Sequence, residues 1–259
     1  AMGKHGREHG KQRHGGRAAA VARASRGLAR VLSKRGIGSR RAAEDWVLAG
    51  RVAVNGETVR DPERQVDPER DRITLDGQEA SAAARIYIAL NKPRGLVTST
   101  ADERGRDTVY RCFDGATLPY LSPVGRLDKA SEGLLLFSND SAWAARLTDP
   151  ASHVDKTYHV QINRVPDPAL LKALEAGAIV EGEALRAKSI AVLRSGEKNA
   201  WLEIVLDEGR NRQIRRLLDA FELSVLRLVR VAIGPLALGD LGKSQWRPLT
   251  PEEVAALSG

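Results

Sequence analysis

The 259-residue chain has one cysteine, Cys112, five histidines and only 4% aromatic residues. A lone thiol excludes an intramolecular disulfide framework and any cysteine-cluster metal site, and it suits a reducing compartment, so a cytoplasmic protein is expected. His5, His9 and His14 fall in a Gly/Arg-rich stretch, which leaves His153 and His159 for the remainder. A histidine-ligated metal or a histidine triad has little to draw on. No apolar run approaches the roughly 18 residues that cross a bilayer, and no secretory h-region follows the basic start, so neither membrane insertion nor export is expected. Neither GxGxxG nor GxxxxGK[ST] occurs, so no nucleotide cofactor is expected, and no metal.

Positive charge is present but uneven. The net charge is +8, and residues 1–35 alone hold ten lysines and arginines against the single Glu8. The rest of the chain is near neutral. A basic, low-complexity arm beside a neutral body points to an anionic polymer as partner, with a purely solubilising tail as the alternative. Residues 1–25 lack hydrophobic period and read as a disordered basic tail.

Leu28, Val31 and Leu32 form a short helical stripe, ended by Gly36-Ile37-Gly38. Ser39 then suits the N-cap of a second helix that turns Ala42, Ala43, Trp46 and Val47 inward and stops at Gly50. Arg51–Val54 alternates into Asn55-Gly56, a strong hairpin signal, with the return near Glu57–Arg60 and a further strand at Ile73–Leu75 before Asp76-Gly77. The stretch GLARVLSKRGIGSRRAAEDWVLAGRVAVNG resembles the S4 RNA-binding domain. That resemblance implies that residues 26–80 form an S4-like domain whose Arg30, Lys34, Arg35, Arg40 and Arg41 face the phosphates of structured RNA. The alternative is an ordinary helical hairpin with solvated arginines, which the glycine placement and the Val54-Asn55-Gly56 turn disfavour.

Residues 81–85 read as a linker, and 86–259 as a second domain of strands with interspersed helices, mixed α+β. Strands are expected where Ile86, Ile88 and Leu90 alternate, at Leu134–Phe137, at Tyr158–Ile162, at Trp201–Leu206 and at Val225–Val231. Asp167 as N-cap, Pro168 at the first position and Gly177 as terminator bound a helix. Asp128 precedes the apolar Leu134–Phe137 and so sits in a loop against a buried strand. A carboxylate there is desolvated unless a cation holds it ionised, and held ionised it is a nucleophile at neutral pH. It also reads as an ordinary turn aspartate. In a helix starting near Asn211, Ile214, Leu217, Leu218 and Phe221 form the core stripe. At about 100° per residue, Arg212 and Arg216 then face solvent and Arg215 lies at the border, where it can reach a half-buried carboxylate. The alternative for Arg215 is a surface pair with Asp219, worth only about 0.3–0.5 kcal/mol.

The stretches LNKPRGLVTST, PVGRLDKASEGLLLFSND, KTYHVQI and DEGRNRQIRRLLDAF resemble those of the pseudouridine synthases that modify ribosomal RNA and carry an N-terminal S4 domain. The resemblance implies an α+β protein: a small S4-like RNA-binding domain plus a larger, mainly antiparallel-sheet catalytic domain. It implies isomerisation of a ribosomal RNA uridine to pseudouridine, with a lean toward the large subunit from RNRQIRR. Asp128 takes the place of the family's essential aspartate, Tyr158 of the tyrosine that stacks on the base, and Arg215 of the cation paired with the aspartate. Arg126 takes the place of the arginine that fills the space left by a flipped nucleotide. Leu127 and Ile214 are apolar walls, and Lys156 meets a phosphate or closes the loop. Apolar surroundings of Asp128 are expected to exclude water from the reaction. A monomer without cofactors is expected. Two rivals remain: a non-catalytic S4-type ribosome assembly factor, and an aspartate-nucleophile phosphohydrolase, for which no DxDx[TS] segment is present.

Overall fold

The computed structural model describes residues 25–99 and 107–259. The tail read as disordered lies outside the described residues except for Ser25. The chain divides into two compact units, meeting between Ala83 and Ala84.

In the first unit, β1 (Arg26–Gly27) leads into α1 (Leu28–Lys34) and α2 (Arg40–Leu48). Then follow β2 (Val52–Val54), β3 (Glu57–Thr58), β4 (Gln65–Val66), β5 (Ile73–Leu75) and β6 (Gln78–Glu79). Ser39 Oγ accepts from the Ala42 N–H at 2.9 Å, which caps α2 as its sequence position suggests. Asn55 and Gly56 both take positive φ, 51° and 85°, the geometry that closes a two-residue hairpin without splaying β2 and β3. Leu28, Val31 and Leu32 pack with Ala43, Val47 and the inward residues Val52, Val54 and Ile73.

The second unit is built on one twisted sheet. Its strands are β7 (Tyr87–Lys92), β8 (Ser122–Val124), β9 (Glu132–Ser138), β10 (Lys156–Ile162), β13 (Ser189–Ser195), β14 (Ala200–Leu206), β15 (Val225–Ile233), β16 (Leu236–Ala237) and β17 (Trp246–Pro248), while β11 (Ala178–Val180) and β12 (Glu183–Leu185) form a separate ribbon. The order is β13-β14-β10-β15-β9-β7-β17, antiparallel except between β15 and β9. Among the described residues four α-helices accompany it: α3 (Ser141–Thr148), α4 (Pro168–Ala176), α5 (Gln213–Asp219) and α6 (Pro251–Ser258). Among the described residues no helix is long and apolar enough to cross a membrane.

Strand β9 is covered on both faces, which is why it reads as an unbroken apolar run rather than an alternation. Leu135 and Phe137 pack with Ile88, Leu90 and Val109, and Leu134 and Leu136 with Trp143, Leu147 and Leu257. Strand β14 instead alternates buried and half-buried residues, with Leu202 and Ile204 facing Leu217 and Leu218 of α5. Where β9 begins, the backbone of β15 comes unusually close. Gly133 has φ 107°, and a Cβ there would lie 2.2 Å from the Arg230 carbonyl oxygen. Gly133→Ala is therefore expected to destabilise this unit by about 3 kcal/mol or more, combining left-handed strain with a backbone clash. Chemical denaturation checks this; a midpoint equal to wild type would show that the two strands separate without cost.

Candidate active site

The turn 125–131, between β8 and β9, carries Asp128, and the segment after β7 grips it. Lys92 continues the inward row of Ile88 and Leu90 and is fully buried. Its ammonium donates to the carbonyls of Pro93 (3.1 Å), Lys129 (3.3 Å) and Ser131 (2.7 Å). The Gly95 N–H adds a bond to the Lys129 carbonyl at 2.8 Å. Buried Thr98 clasps Leu127 from the other side: its Oγ1 donates to the Leu127 carbonyl at 2.8 Å and accepts from the Leu127 N–H at 3.3 Å. The turn closes on itself through the Ser131 N–H and the Asp128 carbonyl, 2.9 Å apart. Asp128 is thus held by buried backbone hydrogen bonds rather than by loop stiffness.

Two guanidiniums converge on the Asp128 carboxylate. Arg212 Nη1 donates to Oδ2 at 3.2 Å, and Arg215 Nε lies 3.7 Å from the same oxygen, beyond hydrogen-bond length. Arg215 is oriented by a bond from its Nη2 to Ser131 Oγ at 3.2 Å, and its Nε has no hydrogen-bond partner. Burial lowers the Arg215 pKa; the Asp128 charge opposes that, while Arg212 and Arg94 add to it. Pairing with Asp219 is not what Arg215 does.

The helical-wheel placement of Arg212 needs correction. Helix α5 begins at Gln213, and Arg212 precedes it in a left-handed conformation, φ 50° and ψ 36°. Its side chain is off the wheel: it stays half open to solvent, 51% exposed, as expected, but also reaches Asp128, which the wheel did not foresee. Arg216, expected to face solvent, is half-buried instead, with 23% of its side chain exposed, because it shares Glu183 with Arg210 at 2.9 and 2.8 Å. Gln213, buried, braces this bend: its Nε2 donates to Glu208 at 3.0 Å and to the Arg186 carbonyl at 3.3 Å.

Arg126, Leu127, Asp128, Lys156, Tyr158, Ile214 and Arg215, all selected from sequence, line one cleft of about 900 Å³, within the range that takes a nucleotide-sized ligand. Leu127 and Ile214 are buried walls, Arg126 is exposed, and Tyr158 and Lys156 are half-buried on β10. Asp128 is half-buried as expected, with 35% of its side chain exposed, so the protein alone does not close it off from water. Sequence reasoning missed Lys92, Thr98, Ser131 and Gln213. A lysine in phase with Ile88 and Leu90 was a usable signal of burial.

In the first unit, Arg26, Arg30, Lys34 and Arg35 border a basic groove with Val31 and Pro68. Arg35 also serves its own fold, donating to the carbonyls of Pro68 and Ala80, each at 2.8 Å. Arg40 is engaged by Glu44 (3.2 Å) and Glu63 (2.9 Å), whereas Arg41 is exposed on α2. Among the described residues no group of three or more His, Cys, Asp or Glu is placed to hold a metal ion.

Comparison with known proteins agrees with both units. Residues 86–220 match the family model described as RNA pseudouridylate synthase, and residues 26–80 match that of the S4 domain. An uncharacterized RNA pseudouridine synthase of Aquifex aeolicus (strain VF5) is 38% identical over 229 residues, 88% of this chain and 92% of the relative. The ribosomal large subunit pseudouridine synthase B of Bacillus subtilis (strain 168) is 35% identical over 233 residues, 89% and 94% of the two chains. A crystal structure of a pseudouridylate synthase superposes with a TM-score of 0.62 at 30% identity, covering 89% of this chain and 99% of that one.

Proposed function

From the premise that this chain belongs to the RNA pseudouridylate synthase family, we propose that it converts a uridine of ribosomal RNA, in the large subunit, to pseudouridine through Asp128. The C1′–N1 bond breaks, the uracil turns over while held, and C1′ bonds to C5. The C5 proton leaves and N1 gains one, so no redox partner or energy source enters the balance. The observation that carries this reading is the position of Asp128: on a braced turn, in the cleft that Tyr158 lines, with two guanidiniums at its carboxylate.

Each group then has a task that its position supports. Arg212 and Arg215 orient the Asp128 carboxylate, the group able to attack or to stabilise positive charge developing at C1′. The Tyr158 ring offers a π-face to a base taken out of its stack, which costs a few kcal/mol that contacts elsewhere must offset. Arg126, exposed in the lining of the cleft, fills the gap that the base leaves in the RNA helix. Because Asp128 is one-third open, the nucleotide itself completes the exclusion of water. The S4 unit supplies affinity through Arg30, Lys34 and Arg41, with Arg35 and Arg40 shared between the fold and RNA.

Mapping pseudouridines in ribosomal RNA from cells with and without the protein tests the assignment. At least one large-subunit pseudouridine is expected to disappear with the protein and return with the wild-type gene but not with Asp128→Asn. Unchanged maps of both subunits would refute it; loss of a small-subunit site would correct the substrate.

A further inference from the structure

Tyr158 has a neighbour on its own face of the sheet. Antiparallel pairing places Arg230 of β15 directly opposite it, and Lys156 stands two residues before it on β10. All three side chains line the cleft. Arg230 is 6% exposed, and its Nε donates to the Leu134 carbonyl at 2.8 Å, a bond that reaches β9 and fixes the guanidinium. Its Nη2 is buried and has no hydrogen-bond partner. A buried guanidinium nitrogen left without an acceptor is costly, and a native fold that keeps one is holding it for something.

Lys156 makes the same point from the other strand. Burial lowers its pKa, and the positive charge of Arg230 lowers it further, against the pull of Asp155 and Asp207. Asp155 is committed to Lys188, with both carboxylate oxygens 2.9 Å from the ammonium. Among the described residues, neither Arg230 nor Lys156 is paired with a carboxylate. Among the described residues the two carboxylates that line the cleft are engaged elsewhere: Asp128 by Arg212, and Glu208 by Gln213 and Arg210.

We propose that Arg230 and Lys156 form a seat for a phosphate of the RNA strand, next to the base that lies against Tyr158. This inference rests on the reading that the cleft takes a uridine nucleotide. A uracil carbonyl would satisfy one donor and leave two positive charges uncompensated. A phosphate group brings negative charge and several acceptor oxygens together, which matches a fixed guanidinium beside an ammonium. The seat would set the register of the nucleotide, so that its sugar, between base and phosphate, is presented to Asp128.

Calorimetric titration of the full chain with uridine, uridine 5′-monophosphate and uridine 3′-monophosphate tests this. One monophosphate is expected to bind about tenfold or more tightly than uridine, and the two arms report on which side of the sugar the seat lies. Lys156→Gln and Arg230→Gln should each erase the preference while uridine binding stays within about twofold, and Arg230→Lys should restore part of it. Arg230→Gln loses the bond to Leu134 and risks the fold; Lys156→Gln removes no hydrogen bond seen in the structure and remains decisive. Equal binding of all three ligands, no binding of either monophosphate at millimolar concentration, or a preference that survives Lys156→Gln would overturn the seat. If pseudouridine still forms in ribosomal RNA in that case, the seat alone falls. A phosphate preference in a protein that modifies no uridine would leave the seat standing and refute the activity.

Discussion

Asp128→Asn is expected to abolish pseudouridine formation, a loss of at least about 10⁴-fold in rate, while RNA affinity stays within about threefold. Asparagine has almost the same volume and keeps an oxygen for Arg212, so the turn and its bonds to Lys92 and Thr98 are undisturbed. What disappears is the negative charge, and with it both the nucleophile and the group that can answer positive charge on the sugar. Affinity comes from phosphate contacts elsewhere, and removing a carboxylate from a site built for a polyanion cannot weaken them much. An Asn variant with normal turnover would show that the chemistry belongs to another residue. One that no longer bound RNA would show that Asp128 holds the fold or the complex rather than the reaction.

The second large effect is expected at Lys92. Lys92→Met keeps the length of the side chain but strips the donor from three carbonyls, two of them in the Asp128 turn. The Lys129 carbonyl keeps its bond from the Gly95 N–H, so two carbonyls, of Pro93 and Ser131, lose their partner at about 1–3 kcal/mol each, partly offset because an ammonium no longer has to be buried. A net loss of about 2–4 kcal/mol follows, which for a unit of this size lowers the melting midpoint by about 5–10 °C. Activity should fall by about 100-fold below the melting range, because the turn relaxes by fractions of an ångström. An unchanged midpoint and rate would mean that the turn is held without the ammonium.

The same lysine has a pH signature. Burial pulls its pKa down to about 8, with the charges of Asp128 and Glu132 opposing. Above that value the ammonium becomes an amine and its grip on the turn slackens, so turnover should decline as pH rises through about 8. Stability moves the other way. Between about 8 and 10.5 the unfolded chain retains the proton that the folded chain has released, so this group's contribution to stability rises with pH in that window. Opposite slopes in the pH–rate and pH–stability curves are expected, and Lys92→Met should remove both. Parallel slopes would assign the limb to another group.

How much of this was legible in the sequence depended on whether the cause was local. Asp167, Pro168 and Gly177 bound α4 as their chemistry demands, with the Leu170 N–H bonded to Asp167 at 2.8 Å. Asn55-Gly56 and the Ser39 cap act within a few residues of themselves and read equally well. The signal for α6 was also local and went unread: Thr250 followed by Glu253 is a capping box, and both of its bonds form. Strands of two or three residues, such as β4 and β17, have no periodicity to detect and exist only through their partners.

The site divides along the same line. Asp128, Tyr158 and Arg215 stood out because their motifs resemble a family's, and the structure brings them to one cleft. The wheel left Arg212 exposed, as it is, but missed its bond to Asp128, because a wheel assumes helical backbone and one left-handed residue changes where a side chain reaches. Apart from bonds to Pro93 and Glu208, the donors of Lys92, Thr98 and Gln213 act on segments 27 to 39 positions away, and no spacing rule foretells which carbonyl a buried donor will find. Arg230 reads as one more polar residue in a strand. Only the sheet register, which sets it opposite Tyr158, gives it meaning.

The most direct test uses purified protein and a large-subunit ribosomal RNA transcript whose uridines carry tritium at C5, followed for release of label into water. Forming the C1′–C5 bond must expel that hydrogen. The wild-type chain is expected to release label equivalent to one or a few uridines per transcript, without added metal or nucleotide, and Asp128→Asn to release none. Absence of release by the wild type, or equal release by the two proteins, would contradict the assignment of this reaction to Asp128.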